Sequence, residues 1–303
     1  MTTPLVLIVN PHSAKRATGR KWPELQKRLQ RILPPFDVFI TKRAGDATAF
    51  AADAAARYET VVAVGGDGTI NEVANGIRQS DSETALGVLP RGTGSDLVRT
   101  LGIPHKFSHA ARSLARGNRQ KIDLGKATFL GPDGRERSRW FVNAAEVGFG
   151  AIVSGAVNHP SRFMPGSAAY IWAVLTTMVR HRPIIASVTT DASSGRSLLL
   201  SNAWIANGRY SGGGMKSAPR ALIDDGLLDI VLVEHVSFPR RVAGLTKLRS
   251  GEFVKMRQVE YRQAAQAVFT SNPPQPVEVD GDVVGTTPAT FEIEPRRLTV
   301  IAE

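Results

Sequence analysis

Cysteine is absent from all 303 residues, so disulfide staples, thiolate metal sites and a cysteine nucleophile are excluded together. Long apolar runs are absent too. Residues 168–179, the most apolar later stretch, contain two threonines and fall well short of the roughly 20 residues a membrane-spanning helix needs, so they read as a buried or interfacial helix. The start, Met1-Thr-Thr-Pro-Leu5, lacks a basic region ahead of an apolar stretch, and residues 5–9 are too short for a signal-peptide core, so a cytoplasmic location is expected. Neither a Walker A pattern nor GxGxxG is present, which removes the usual support for P-loop and Rossmann readings. His105 and His109 stand four apart but lack the HExxH glutamate and a third ligand, so zinc is set aside. Acid is scarce: 27 Asp and Glu face 38 Lys and Arg, a formal net charge of +11. Anionic membrane suits this excess, at about 1 kcal/mol per basic residue near such a surface, and solubility alone is the competing reading. Nucleic acid is not expected, because no zinc finger, RRM signature or dense Lys/Arg run accompanies the charge.

What is present describes a folded chain: 42% apolar and 21% charged residues, long enough for two domains. The first third alternates β-branched runs with helical patterns. Strands are expected over 5–9, 38–41, 60–64 and 86–89, and helices over 22–33, 46–58 and 70–77, with Asp46 capping the second helix. That alternation predicts an α/β domain on a parallel sheet, with ligands beyond the C-terminal strand ends. From Lys121 the texture changes to strand-like pieces between glycine-rich turns, an antiparallel β-rich domain interrupted by helices near 151–157 and 167–180. The expected division is 1–120 for nucleotide binding and 121–286 for the substrate, with 287–303 packing back on the first domain.

The most informative stretch is Val64-Gly-Gly-Asp-Gly-Thr-Ile-Asn-Glu-Val-Ala-Asn-Gly76, at a strand-to-helix junction. Consecutive glycines there let the backbone approach a phosphate, and the first helical N–H groups face the anion. Ile70, Val73, Ala74 and Ile77 bury one helix face, which leaves Asn71 and Glu72 to the site. Asp67 is a catalytic candidate, since a carboxylate beside phosphates calls for a compensating cation or proton; a turn aspartate bonded to its own backbone is the plain alternative. A second glycine loop, Leu89-Pro-Arg-Gly-Thr-Gly-Ser-Asp-Leu97, follows the next strand, and Asn10-Pro-His-Ser-Ala14 follows the first. Three polar loops on one sheet edge predict a nucleotide cleft. Tyr170, Trp172 and Met178 are candidates for a lipid groove or for core.

These pieces, with Thr41, Asn207-Gly208, Asp224-Asp-Gly-Leu-Leu-Asp229 and Val279-Asp-Gly-Asp282, resemble the diacylglycerol kinase catalytic-domain family, related to sphingosine kinases, in order along nearly the whole chain. The resemblance implies an ATP-dependent, Mg²⁺-dependent lipid kinase with an NAD kinase/diacylglycerol kinase-like first domain and a sandwich-like second one. It implies nucleotide contacts from Asn10, Thr41, Gly65, Gly66, Asp67, Gly68, Thr69, Asn71, Glu72, Arg91 and Thr93. It further implies a structural Mg²⁺ on the Asp225 carboxylate and the carbonyls of Leu222 and Leu227, and Asp282 as proton acceptor with Asp67 beside it. The expected partners are a lipid and an anionic membrane surface, with a dimer left open. Two positions depart: Ser95 where the family usually has Asn, and Asp282 where it has Glu. The shorter arm leaves open a lower activity, a deeper substrate or a larger role for Asp67. An NAD kinase, which shares the GGDGT element, and a catalytically weak, nucleotide-responsive membrane-binding protein are the alternatives.

Overall fold

The computed structural model describes residues 5–92, 94–157, 183–191 and 193–302. Thr93 and residues 158–182 lie outside these, and with them the expected helix over 167–180 and the groove candidates Tyr170, Trp172 and Met178.

Five consecutive apolar residues leave no polar face, and the strand they form, β1 (Leu5–Val9), is buried throughout. β3 (Thr60–Gly65) and β4 (Ala85–Pro90) are likewise buried, whereas β2 (Asp37–Ile40) closes the sheet edge half-exposed. β1 runs parallel to β2 and β3, and β3 parallel to β4. Helices α1 (Ala17–Leu29), α2 (Asp46–Ala55) and α3 (Asp67–Gln79) connect these strands; α4 (Asp96–Thr100) and α5 (Phe107–Arg116) follow β4.

Two expectations are corrected here. The first helix begins at Ala17, directly after Ala14, Lys15 and Arg16 at positive φ, and ends at Leu29 rather than 33; its first turn carries no apolar periodicity to mark it. Asp46 does not cap α2. Gly45 holds the cap position, the Asp46 carboxylate turns back to accept from Lys42 N (2.8 Å) and Arg43 N (3.1 Å), and the free N–H groups of Gly45 and Ala47 donate to Glu72 of α3, each at 3.1 Å.

The rest is strand-rich: β5 (Arg119–Leu130), β6 (Glu136–Phe141), β7 (Ala144–Gly148), β8 (Ile184–Thr190), β9 (Ser193–Ala206), β10 (Leu228–Glu234), β11 (Val259–Ala264), β12 (Gln266–Ser271), β13 (Pro276–Val279) and β14 (Asp282–Ile301). Helix α6 (Phe149–Val157) matches the first expected insert, and α7 (Phe238–Leu248) is an addition that the sequence reading did not foresee. β14 joins the halves. Near its start it is antiparallel to β13, along its length to β5, and at its end Val300 lies opposite Leu86 of the parallel neighbour β4. The core beneath β1, β3 and β4 accordingly includes Leu298, Val300 and Ile301, while Phe129, Phe141, Phe269 and Phe291 belong to a second core under the antiparallel strands.

Candidate active site

Loops after β1, β2, β3 and β4 open on one side of the sheet and enclose a polar cleft of about 650 Å³, lined by Asn10, Thr41, Gly66, Gly68, Thr69 and Arg91 among others. Each wall has a local reason. Asn10 Nδ2 donates to Thr69 Oγ1 (3.0 Å), tying the first loop to the start of α3. Thr41 N donates to Val9 O (2.9 Å), and Arg91 Nε to Thr18 Oγ1 (3.3 Å). The two glycine loops touch backbone to backbone: a Cβ on Gly92 would stand 2.6 Å from Gly66 Cα, so neither loop tolerates a side chain at that crossing. Gly68 is different. A Cβ there would meet nothing within 4 Å, and the empty space is the cleft itself. An unobstructed backbone at a helix N-terminus fits a phosphate chain.

Asp67 opens α3, and its carboxylate bridges the glycine loops by accepting from Ser95 N (2.7 Å) and Asp96 N (2.8 Å) at the start of α4. Ser95 reaches that position only by adopting a left-handed backbone, φ 56°. Asp96 in turn accepts from Gly213 N (2.8 Å) and Gly214 N (2.6 Å); burial, with the Asp67 charge adding to it, pushes its pKa up to about 6.

Asn71 was expected beside the nucleotide, and the structure turns it away. It is buried, donates to Asp280 Oδ2 (2.7 Å) and Trp140 O (2.9 Å), and accepts from Arg139 (3.0 and 2.7 Å). Glu72 lines the cleft while holding α2, as described above. Gly65 ends β3 and accepts from Arg91 N through its carbonyl (2.7 Å).

Asp280 and Asp282 bracket the β13–β14 turn, and their environments are opposite. Asp280, at φ 46°, is half-buried where the two spaces meet and accepts from Val142 N (2.8 Å), Asn143 N and Ala144 N (3.0 Å each) and Asn71. Burial raises its pKa against the lowering effect of those donors. Asp282 is exposed on the cleft rim and ion-paired with Arg139 Nη2 at 2.9 Å. Behind the turn lies a second cavity of about 430 Å³ with largely apolar walls, including Ile70, Leu97, Val142, Phe149, Val153 and Met215. Asp67, Gly94, Asp280 and Gly281 line both spaces, so the cleft and the cavity meet there.

Asp225 sits apart, in the turn before β10. Its Oδ1 accepts from Leu227 N (3.0 Å), and its pKa is raised by burial and then by the charges of Asp123 and Asp224. Among the described residues no group of three or more side chains forms a metal cage. One carboxylate with neighbouring carbonyls and negative charge left to offset is a donor set that a hard, largely hydrated cation accepts. Sequence reasoning missed Asp123, which is fully buried and ties this turn to β14 by accepting from Gly226 N and Arg296 N, both at 2.7 Å. It missed Arg139 and Glu146 as well, since neither stands in a pattern that singles it out, and it gave no role to Asp96, which ends the second glycine-loop motif.

The profile of the diacylglycerol kinase catalytic domain matches residues 4–127, and that of the YegS C-terminal NAD kinase beta sandwich-like domain matches residues 143–302. The chain therefore belongs to the diacylglycerol kinase family of lipid kinases that carry this C-terminal domain. It is 29% identical over 287 residues to the diacylglycerol kinase of Staphylococcus carnosus (strain TM300), covering 94% of this chain and 90% of the relative. To that of Staphylococcus aureus (strain JH9) it is 29% identical over 299 residues, covering 98% and 91%. Two solved structures from Bacillus anthracis str. Sterne share the fold. One, a diacylglycerol kinase, has a TM-score of 0.73 at 21% identity, covering 99% of this chain and 97% of the other. The second has a TM-score of 0.81 at 23% identity, covering 99% and 95%.

Proposed function

We propose that this lipid kinase moves the γ-phosphoryl group of ATP to a lipid hydroxyl at the point where the polar cleft meets the apolar cavity. The observation that carries this reading is the junction itself: one space built for a polyanion and one for acyl chains share Asp67, Gly94, Asp280 and Gly281. The nucleotide lies across Asn10, Thr41, Gly66, Gly68, Thr69 and Arg91, with Thr93 in the same loop. Asp282 accepts the proton of the lipid hydroxyl while Arg139 orients its carboxylate. Mg²⁺ held with the triphosphate would supply charge stabilisation, and Asp67 on the glycine loops would help to hold it; phosphoryl transfer asks mainly for such positioning. A separate structural Mg²⁺ is assigned to Asp225 with the carbonyls of Leu222 and Leu227.

The nucleotide domain is taken as 1–120 and the lipid domain as 121–286, closed by the final strand. The +11 balance supports peripheral docking on an anionic, cytoplasmic membrane face, and no described helix is long and apolar enough to span one. Purified protein with Mg²⁺, γ-labelled ATP and either lipid micelles or NAD tests the reading: label must appear in a phosphomonoester lipid, and label in NADP instead would transfer the assignment to an NAD kinase.

A further inference from the structure

Among the polar side chains on the wall of the apolar cavity, Glu146 is one that the transfer reaction does not use. Glu146 of β7 is buried and lines the cavity wall, in register opposite Glu278 of β13 and Trp204 of β9. Its carboxyl lies against Gly150 at the start of α6, where any side chain would collide with Oε2. Three donors surround it and none grips it. Ser211 Oγ stands at 3.4 Å, near the limit of a hydrogen bond. The Trp204 indole N–H and the Asn202 amide come close enough to hold its pKa down somewhat, yet among the described residues neither Trp204 Nε1 nor Asn202 Nδ2 has a hydrogen-bond partner. Trp204 and Asn202 are 8% and 4% exposed, so open solvent does not satisfy them. Burial dominates and pushes the Glu146 carboxyl up to about 7, with the Asp96 charge adding to it. A buried N–H without an acceptor costs roughly 1–3 kcal/mol, and a largely apolar cavity that leaves the Trp204 N–H beside a loosely held carboxyl is built to receive a group that bonds both.

A group bound there must both accept and donate. An ammonium donates to Glu146 but gives the Trp204 N–H nothing to bond. An ester carbonyl accepts from Trp204 but bonds the carboxyl only while that is protonated. A hydroxyl does both. Its place relative to the chemistry also suits one polar head: Glu146 is opposite Glu278, and Glu278 is two residues before Asp280 at the junction with the cleft, a separation of about 7 Å along a strand.

Resting on the lipid-kinase reading above, we propose that Glu146, Trp204 and Ser211 form a second polar subsite that binds a free hydroxyl of the acceptor. The preferred substrate is then a lipid with two free hydroxyls, of the monoacylglycerol kind, over one whose second hydroxyl is esterified. The test compares kcat/KM for 1-monooleoylglycerol, 1,2-dioleoylglycerol and sphingosine in mixed micelles with Mg²⁺ and ATP, for the wild type, Trp204→Phe and Glu146→Leu. The wild type should favour monooleoylglycerol over dioleoylglycerol by about tenfold or more, since a site built to bond a hydroxyl rejects the analogue that lacks it. Trp204→Phe and Glu146→Leu should cut that ratio about tenfold through KM, and Glu146→Leu should not lower Tm, because it removes a buried carboxyl. A wild type that prefers dioleoylglycerol, or a ratio unmoved in both variants, overturns the subsite. Sphingosine keeps a second free hydroxyl beside its ammonium, so it too should be favoured over dioleoylglycerol in the wild type and lose that advantage in both variants. Transfer to none of the three lipids would instead remove the lipid-kinase reading itself, so the two failures are told apart.

Discussion

At the scale of single residues, the glycine loops separate structural from ligand-driven need. Gly66 and Gly92 are glycines because two backbones cross there; Gly68 has open space beside it and lies in the first turn of α3. A Gly68→Ala change should therefore raise Tm slightly, since alanine favours a helix by about 1 kcal/mol over glycine, while weakening ATP binding at least tenfold. Calorimetric titration with Mg²⁺ and ATP alongside a melting curve checks both halves, and unaltered affinity would place the phosphates elsewhere. The two aspartates of the β13–β14 turn divide in the same manner. Asp280 accepts four hydrogen bonds, and an amide offers one oxygen and turns an N–H toward donors. Asp280→Asn should destabilise the fold by about 3 kcal/mol or more, visible as a large fall in Tm. Asp282, exposed and with its carboxylate held by Arg139 among the described residues, should behave oppositely. Asp282→Asn should keep its Tm and lose about 10²- to 10⁴-fold in kcat. An Asp282→Asn enzyme with normal kcat would remove the proton-acceptor role.

At the scale of elements, the helix starts do most of the assembly, and they were the least readable part of the sequence. The strands at 5–9, 60–64 and 86–89 showed plainly because unbroken β-branched runs admit little else, and the glycine loops showed because they follow those strands. What caps each helix is a tertiary matter. Glu72 caps α2 from α3, and Asp67 caps α4 from the other glycine loop, so neither partner is near in sequence. Asn71 misled for the same reason: apolar periodicity placed it off the buried face, but β6 and the Asp280 turn cover that side with polar groups. The departure at Ser95 becomes intelligible on this scale. It occupies φ 56° at the cap of α4, where Asn is tolerated better than most residues because its short side chain bonds locally. Ser95→Asn should leave the Asp67 contact intact and raise stability by about 0.5–1 kcal/mol. A melting curve displaced downward would show that the serine hydroxyl matters in its own right.

At the scale of the whole molecule, stability is tied to what the buried acids can shed. Asp225, raised by burial and by Asp123 and Asp224, gains from a bound cation, so added Mg²⁺ should raise Tm in the wild type and not in Asp225→Ala. Equal gains in both would move the ion elsewhere. Glu146 has no such outlet, and its effect is set by pH. Its usual carboxyl pKa of 4.5 rises to about 7 in the fold, through burial first and the Asp96 charge last, and Asp96 itself rises to about 6. Between those values the folded chain holds a proton that the unfolded chain has released. Stability from this group is therefore fully present below about pH 4.5, falls as pH climbs toward 7, and is flat above, the reverse of a salt-bridged carboxylate. Glu146→Gln removes the titration while keeping size and hydrogen-bonding capacity. Its Tm should exceed that of the wild type by a few degrees at pH 8, where burying the wild-type charge costs on the order of a few kcal/mol. The difference should shrink steadily below pH 7 and vanish near 4.5. Asp96 is unchanged in both proteins, so its own titration largely cancels from the comparison. A Tm difference independent of pH would mean that Glu146 does not change its charge on folding. A deficit in Glu146→Gln at pH 8 would mean that the donors around it grip a carboxylate more firmly than their distances indicate.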